Sequence, residues 1–545
     1  MVKKSMKTLF VGLAALSASI SASGDTLTQS NGFFQPRAFS ANLVREMLMQ
    51  GSKFKESDGW YGEFSATGAY QRNWSQGMET TADVDLADSV NGLGVFPFWS
   101  GTNVMSVNSA DGSAAFDVDG YQFGLGQVKT VGSVTLDPIV YQAGSDFMFI
   151  VGSSNAEPGF FAKIKAPVGV YNMNPQLTET VATADAYPAG ALELSDTYTY
   201  QPATTMTQAF AGYEPSGQTA QGDFATMKNG IIKGQNSTGA KFGDIELTAG
   251  YKFISSEDNA FSVGVRASAP TGGKATGEYL LEPIFGRGGN WGLGGYLDGH
   301  VKVWEGDNNN CFKIKMMANA MHLFNADTVR QYDLTANGGG SKYLLVADYS
   351  DNAYQGKIAN LVNYSTLAST SSFGVEGDGV VSLCYMSGGW SADLGYEFWG
   401  RSAETLAITG TFAEQAYAVL GNQGVGQVGG TPATASNACQ PLAQMNLAST
   451  DASATTVTAV GPASAQGDVV AATTAANRIG VADLNVAGAQ QTASMTSKVF
   501  SKVAYEWVES DYSPHLGLLG EFEISNSNNN ALPQWGVSLV GGVSF

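Results

Sequence analysis

Hydrophobic and polar residues alternate with a period of two over long stretches of this chain, the spacing at which successive side chains of a β-strand point to opposite faces. In "WYGEFSATGAY", Trp60, Gly62, Phe64, Ala66, Gly68 and Tyr70 form an apolar or small row against Glu63, Ser65, Thr67 and Gln71. "DIELTAGYKF" sets Ile245, Leu247, Ala249, Tyr251 and Phe253 against Asp244, Glu246, Thr248 and Lys252. "AFSVGVRASAP" sets Phe261, Val263, Val265 and Ala267 against Ser262, Gly264 and Arg266, and "WGLGGYLDGHVKV" sets Trp291, Leu293, Leu297, Val301 and Val303 against Asp298, His300 and Lys302. Comparable rows recur near residues 115–128, 159–170, 311–325, 372–386, 390–400, 496–507 and 514–525, and the sequence finishes on another, "WGVSLVGGVSF". Rows of about ten residues or more are long for soluble strands and match a tilted crossing of a bilayer.

The connections between rows carry a second pattern. Read backwards from residue 545 they span 526–534, 508–513, 401–495, 387–389, 326–371, 305–310, 270–289, 255–259 and 171–241. After the first, short and long strictly alternate, which sorts tight turns to one rim and long loops to the other, as in outer-membrane barrels. The expected fold is therefore all-β: a transmembrane antiparallel β-barrel of about 14 strands, within roughly 12 to 16. Reaching 14 requires two strands from residues 131–158, a stretch that Asp137 and Pro138 interrupt. An even count puts both termini on the periplasmic side.

The N-terminus reads as a secretory signal peptide over residues 1–23: basic "MVKKSMK", apolar "TLFVGLAAL", then small polar residues with Ser21 and Ser23 placed for cleavage before Gly24. Residues 24–57 form a periplasmic or plug segment. Within it "SANLVREMLMQG" predicts a short helix, with Ser40 as N-cap, Gly51 as the stop and Leu43, Val44, Met47 and Leu48 on one face. Residues 58–545 are then the barrel, with long external loops at 171–241, 326–371 and 401–495. The helix would lie either inside the barrel or on its rim.

Composition agrees with a wall that meets lipid. Charged residues make up 14% of the chain and aromatics 11%, with 67 glycines; ordinary soluble domains carry roughly 25% charge. The net charge of −20 becomes more negative once Lys3, Lys4 and Lys7 leave with the signal peptide, which argues against nucleic acid as a partner. Cys311, Cys384 and Cys439 allow at most one disulfide, and isolated small hydrophobes are the simpler reading.

The polar rows define the candidate chemistry. They place Lys163, Lys165, Lys252, Arg266, Lys302, Lys313, Lys315, Lys498 and Lys502 in the lumen with Glu63, Asp244, Glu246, Asp298, Glu376, Asp378, Asp393, Glu397, Glu506, Glu521 and Glu523, beside His300. Such charges either satisfy one another and stiffen the wall or select among passing solutes. Catalysis is not expected. His322 falls on the lipid-facing row, His515 opens a strand beside Pro514, and the Asp298–His300 pair lacks a serine motif. "GVGQVG" at 424–429 matches a dinucleotide fingerprint without its strand, helix or distal acid. Acid clusters at Asp83, Asp85 and Asp88, and at Asp111, Asp117 and Asp119, lack the spacing of a calcium loop. No cofactor or metal is expected.

A last strand with Trp535, Val537, Leu539, Val543 and Phe545 on one face resembles the assembly signal of Gram-negative outer-membrane β-barrel proteins. That resemblance implies residence in the cell outer membrane, with its lipid and the barrel-assembly machinery as partners and a homo-oligomer as an option. "GDIELTAGYKF" followed by "APTGG" at Ala269–Gly273 is similar to the hairpin pattern of the long-chain fatty-acid transporter family, whose barrels have 14 strands and an N-terminal plug; its N-terminal Asn-Pro-Ala sequence is missing here. The expected function is a porin-like channel for passive, weakly selective diffusion of small solutes. A plugged transporter for hydrophobic molecules and a structural or adhesive surface protein are the alternatives.

Overall fold

A computed structural model describes residues 36–51, 59–74, 104–108, 123–124, 131–154, 157–183, 203–214, 223–306, 310–335, 340–350, 355, 357–419, 427–428, 431–432, 478–507, 512–525 and 532–545. Twelve antiparallel strands form a closed ring: β1 (Tyr61–Asn73), β2 (Ile139–Gly152), β3 (Gly159–Asn174), β4 (Ile245–Ser255), β5 (Asn259–Ala269), β6 (Gly292–Glu305), β7 (Cys311–Gln331), β8 (Thr366–Ser387), β9 (Trp390–Arg401), β10 (Ser494–Glu506), β11 (Ser513–Ser525) and β12 (Gln534–Ser544). Each pairs with its sequence neighbours, and β1 closes on β12 from Glu63↔Ser544 to Asn73↔Gln534. Closure leaves no wall strand with an unpaired edge, the condition for a sheet in lipid.

The count of 14 is thus corrected to twelve wall strands among the described residues, still even. Residues 131–158 supply one wall strand rather than two. The run before Asp137 and Pro138, Val131–Thr135, pairs instead with Val104–Asn108 and Thr178–Thr183 in a separate three-stranded sheet. The row near 115–128 lies outside the described residues except at 123 and 124, as do the signal peptide, both acid clusters, Cys439 and most of the fingerprint.

Side-chain parity follows the sequence pattern and inverts that of a soluble protein. Val263, Val265, Leu293, Leu394, Val499, Leu518, Val537 and Leu539 point outward and are exposed, whereas Lys165, Glu246, Arg266, Glu397 and Lys498 point inward and are buried. Trp60, Phe160, Phe253, Trp304, Trp390, Trp507, Tyr512 and Phe545 are exposed together at the rim of the tight turns, an aromatic girdle of the kind that sits at a bilayer interface. The protein is an outer-membrane-type β-barrel. None of the described helices is long and apolar enough to cross a membrane.

The opposite rim carries the long connections. Strands β7 and β8 stay paired as far as Gln331↔Thr366, so the expected loop 326–371 shrinks to 332–365. Above the ring, Phe123, Leu136, Phe210, Leu280, Tyr343, Leu361, Phe412 and Ile479 share one buried apolar core. A small sheet of Asp223–Phe224, Leu345–Asp348, Lys357–Asn360 and Tyr417–Val419 ties those connections together. Both described ends of the 401–495 stretch contribute, through Leu406 and Leu484.

Candidate functional site

Residues 36–51 run along the inside of the ring. Helix α1 (Leu43–Met49) starts where the Asn42 side chain accepts the Arg45 backbone N–H at 3.0 Å. Asn42, extended and immediately before the first helical residue, is the N-cap in place of Ser40. Ser40 is used otherwise: its carbonyl accepts from Lys165 Nζ at 2.6 Å and its hydroxyl from Arg287 Nη1 at 3.3 Å. Every residue of α1 is buried, Arg45 and Glu46 included, so the helix has no solvent face.

What surrounds it is a ring of charged partners. Arg37 meets Asp378 at 3.0 Å on β8, Glu397 at 2.6 Å on β9 and Glu523 at 3.3 Å on β11. Asn42 donates to Glu521 on β11 at 2.8 Å, and Arg45 binds Asp146 on β2 at 2.8 Å. Glu46 binds Arg266 on β5, and Lys165 and Lys163 on β3 at 3.0 and 3.5 Å. At the tight-turn end, the carbonyls of Leu48 and Met49 accept from Lys502 and His515, and the Gly51 N–H donates to Glu63 on β1. Since β3 and β9 lie on opposite sides of the ring, the segment bridges the bore. At its other end Phe39 joins the apolar core above, its ring 5.5 Å from that of Phe285.

The wall is polarised to suit this segment. On one arc Glu397, Glu521 and Glu523 meet the wall cation Lys498, at 3.0, 2.8 and 3.8 Å; Arg37 supplies a second cation to Glu397 and Glu523 and pairs with Asp378 as well. Across the bore Lys163, Lys165 and Arg266 surround Glu246 and Asp298, and Glu46 supplies the missing acid. Burial alone would raise the Glu46 carboxyl, but Arg266, Lys165 and Lys163 outweigh it and hold Glu46 well below the usual carboxylate range.

Most sequence-designated residues fall inside the ring, and most of these, though not Lys313, are paired. Lys315 meets Asp393 at 3.2 Å; Glu376 and Glu246 both receive Arg287, at 2.7 and 2.8 Å. Asp244, just before β4, accepts the Arg287 backbone N–H and that of Gly272. Lys252 lies 4.3 Å from the Tyr61 ring centre. Lys302 belongs to the rim, bound to exposed Asp258 and Glu305. Asp298 accepts from the Tyr296 hydroxyl at 2.7 Å while His300 Nε2 meets the Glu257 carbonyl at 3.2 Å, so each is engaged elsewhere. His322 is exposed, as its row required; His515 is buried, beneath α1. Cys311 and Cys384 are free, buried thiols.

Sequence reasoning missed Arg37, Arg45, Glu46 and Arg287, whose charges sit off the alternating rows. The available signal was adjacency: two arginines and a glutamate within or beside the predicted helix, facing a wall row of both signs. A cavity of about 310 Å³ remains between the end of α1 and the tight-turn rim, lined in part by Met47, Tyr61, Phe161, Asp298, Lys313 and Met317.

No protein-family model matches the chain, and no curated protein matches its sequence. Solved structures give weak likenesses. An outer membrane channel from Pseudomonas putida F1 aligns over 91% of this chain and 99% of its own, at 9% identity and a TM-score of 0.36. The Pseudomonas putida toluene transporter TodX aligns over 95% and 96%, at 8% and 0.28. A Pseudomonas aeruginosa FadL homologue aligns over 90% and 90%, at 7% and 0.26. At these scores none bears on what this chain does.

Proposed function

We propose that this protein is an outer-membrane channel for small solutes that rests closed, with residues 36–51 as its plug and the folded long connections as a cap on the external side. The observation that carries the reading is the charge match across the bore. Arg37 completes the acidic arc and Glu46 the basic one, so the wall is complementary to an occupied lumen. An open porin needs a continuous water path, and a wall arranged for self-sufficiency would not require these two partners. The tight-turn rim is taken as periplasmic, which sets α1 at the exit side of the passage.

Single-channel recording in a planar bilayer tests this. The intact protein is expected to stay largely silent, and a variant lacking residues 24–51, shown folded by its migration on an unheated gel, to conduct in regular steps. Equal stepwise conductance from both would restore the passive porin reading.

A further inference from the structure

We infer that the cavity beneath α1 is a binding site for a small organic anion. Its volume of about 310 Å³ is at the lower end of what small-molecule sites occupy, roughly 300–1,000 Å³. Its lining includes apolar side chains from the helix and three strands, Met47, Ile150, Phe161 and Met317. Lys313, four residues from Met317 on β7, lines it too; it is only 2% exposed and makes no ion pair within 4 Å among the described residues, exposed Glu257 being the acid that acts on it from a distance. A largely desolvated ammonium with no acid in contact gains when an anion sits against it.

The other charges of the lining are already engaged. Lys163 binds Glu46 and Asp298, and Lys315 binds Asp393. Glu63 accepts from the Gly51 N–H, Asp298 from Tyr296, and Glu506 and Lys252 also have partners. Lys313 is therefore the lining cation left without an acid in contact, and the cavity offers hydrocarbon surface as well. A carboxylate on a small apolar or aromatic body satisfies both; inorganic phosphate satisfies the first alone. As a substrate site this assignment rests on the channel reading; as a binding site it stands apart from it.

Calorimetric titration of the full chain in detergent with benzoate, inorganic phosphate and benzyl alcohol tests the site without any transport measurement. Benzoate is expected to bind, more tightly than phosphate, and benzyl alcohol not at all. Lys313→Gln should weaken benzoate about tenfold or more, the size of one charge-assisted hydrogen bond, and Lys313→Arg should largely keep it. Absence of benzoate binding, or equal binding to Lys313→Gln shown folded, overturns the proposal. Phosphate binding as tight as benzoate overturns the organic part and leaves an anion site. If Lys313→Gln does not fold, the salt dependence of benzoate binding to the unaltered protein decides. Weakening with ionic strength supports the charged contact and indifference to salt sinks it. Failure here with the deletion variant conducting would remove the site alone.

Discussion

Arg37 shows how much a single side chain holds in this protein. Its guanidinium is shared among Asp378, Glu397 and Glu523, all buried, and removing one partner from such a cluster costs about 3–5 kcal/mol because the remaining charges stay desolvated. Arg37→Gln is therefore expected to release the segment and raise open-channel events at neutral pH, measured in the same bilayer assay; unchanged silence would show that Arg37 does not hold it. Glu46 makes the matching prediction with pH. Because its folded-state pKa is depressed, the stability it contributes is complete above the unfolded value of about 4.3 and is lost only as pH falls well below that. Conductance of the intact protein should thus stay low from pH 7 to about pH 4.5, whereas Glu46→Gln should open already at neutral pH. A Glu46→Gln variant as silent as the intact protein at neutral pH would contradict this assignment.

The elements were legible in proportion to how strictly their environment enforces a period. Lipid outside and water or charge inside impose alternation on every wall strand, so β4, β5, β6 and β12 could be read directly. Val131–Thr135 has the same strand-forming chemistry, but it pairs outside the ring, and nothing local to those residues says which sheet they join. Arg37 and Arg287 were illegible for a related reason: Arg37 meets Glu397 360 residues away and Arg287 meets Glu376 89 residues away, on strands whose register only the closed ring fixes. One strand contact is specified by the absence of a side chain. A Cβ on Gly294 would lie 1.9 Å from the Ala320 carbonyl oxygen on β7, whereas one on Gly295 would meet nothing within 4 Å. Gly294→Val is expected to cut sharply the fraction migrating as folded barrel on an unheated gel, and Gly295→Val, which adds an outward apolar group, to leave it near that of the parent. Equal yields would mean that β6 and β7 can separate there without loss.

At the scale of the molecule, three layers lie in series: a core of long connections above, a charged bore crossed by residues 36–51, and the cavity below it. Phe39 reaches the first and Met47 the last, so a displacement of one short segment would be felt at both ends of the passage. The polarity of the wall gives that displacement a further result. With Arg37 and Glu46 gone, the acids of β8, β9 and β11 would confront the bases of β3 and β5 across an emptied, hydrated bore. The open state would then carry a fixed transverse electric field, and a solute with separated charges, such as a zwitterion, would enter turned to one orientation while an uncharged molecule of equal size tumbled through.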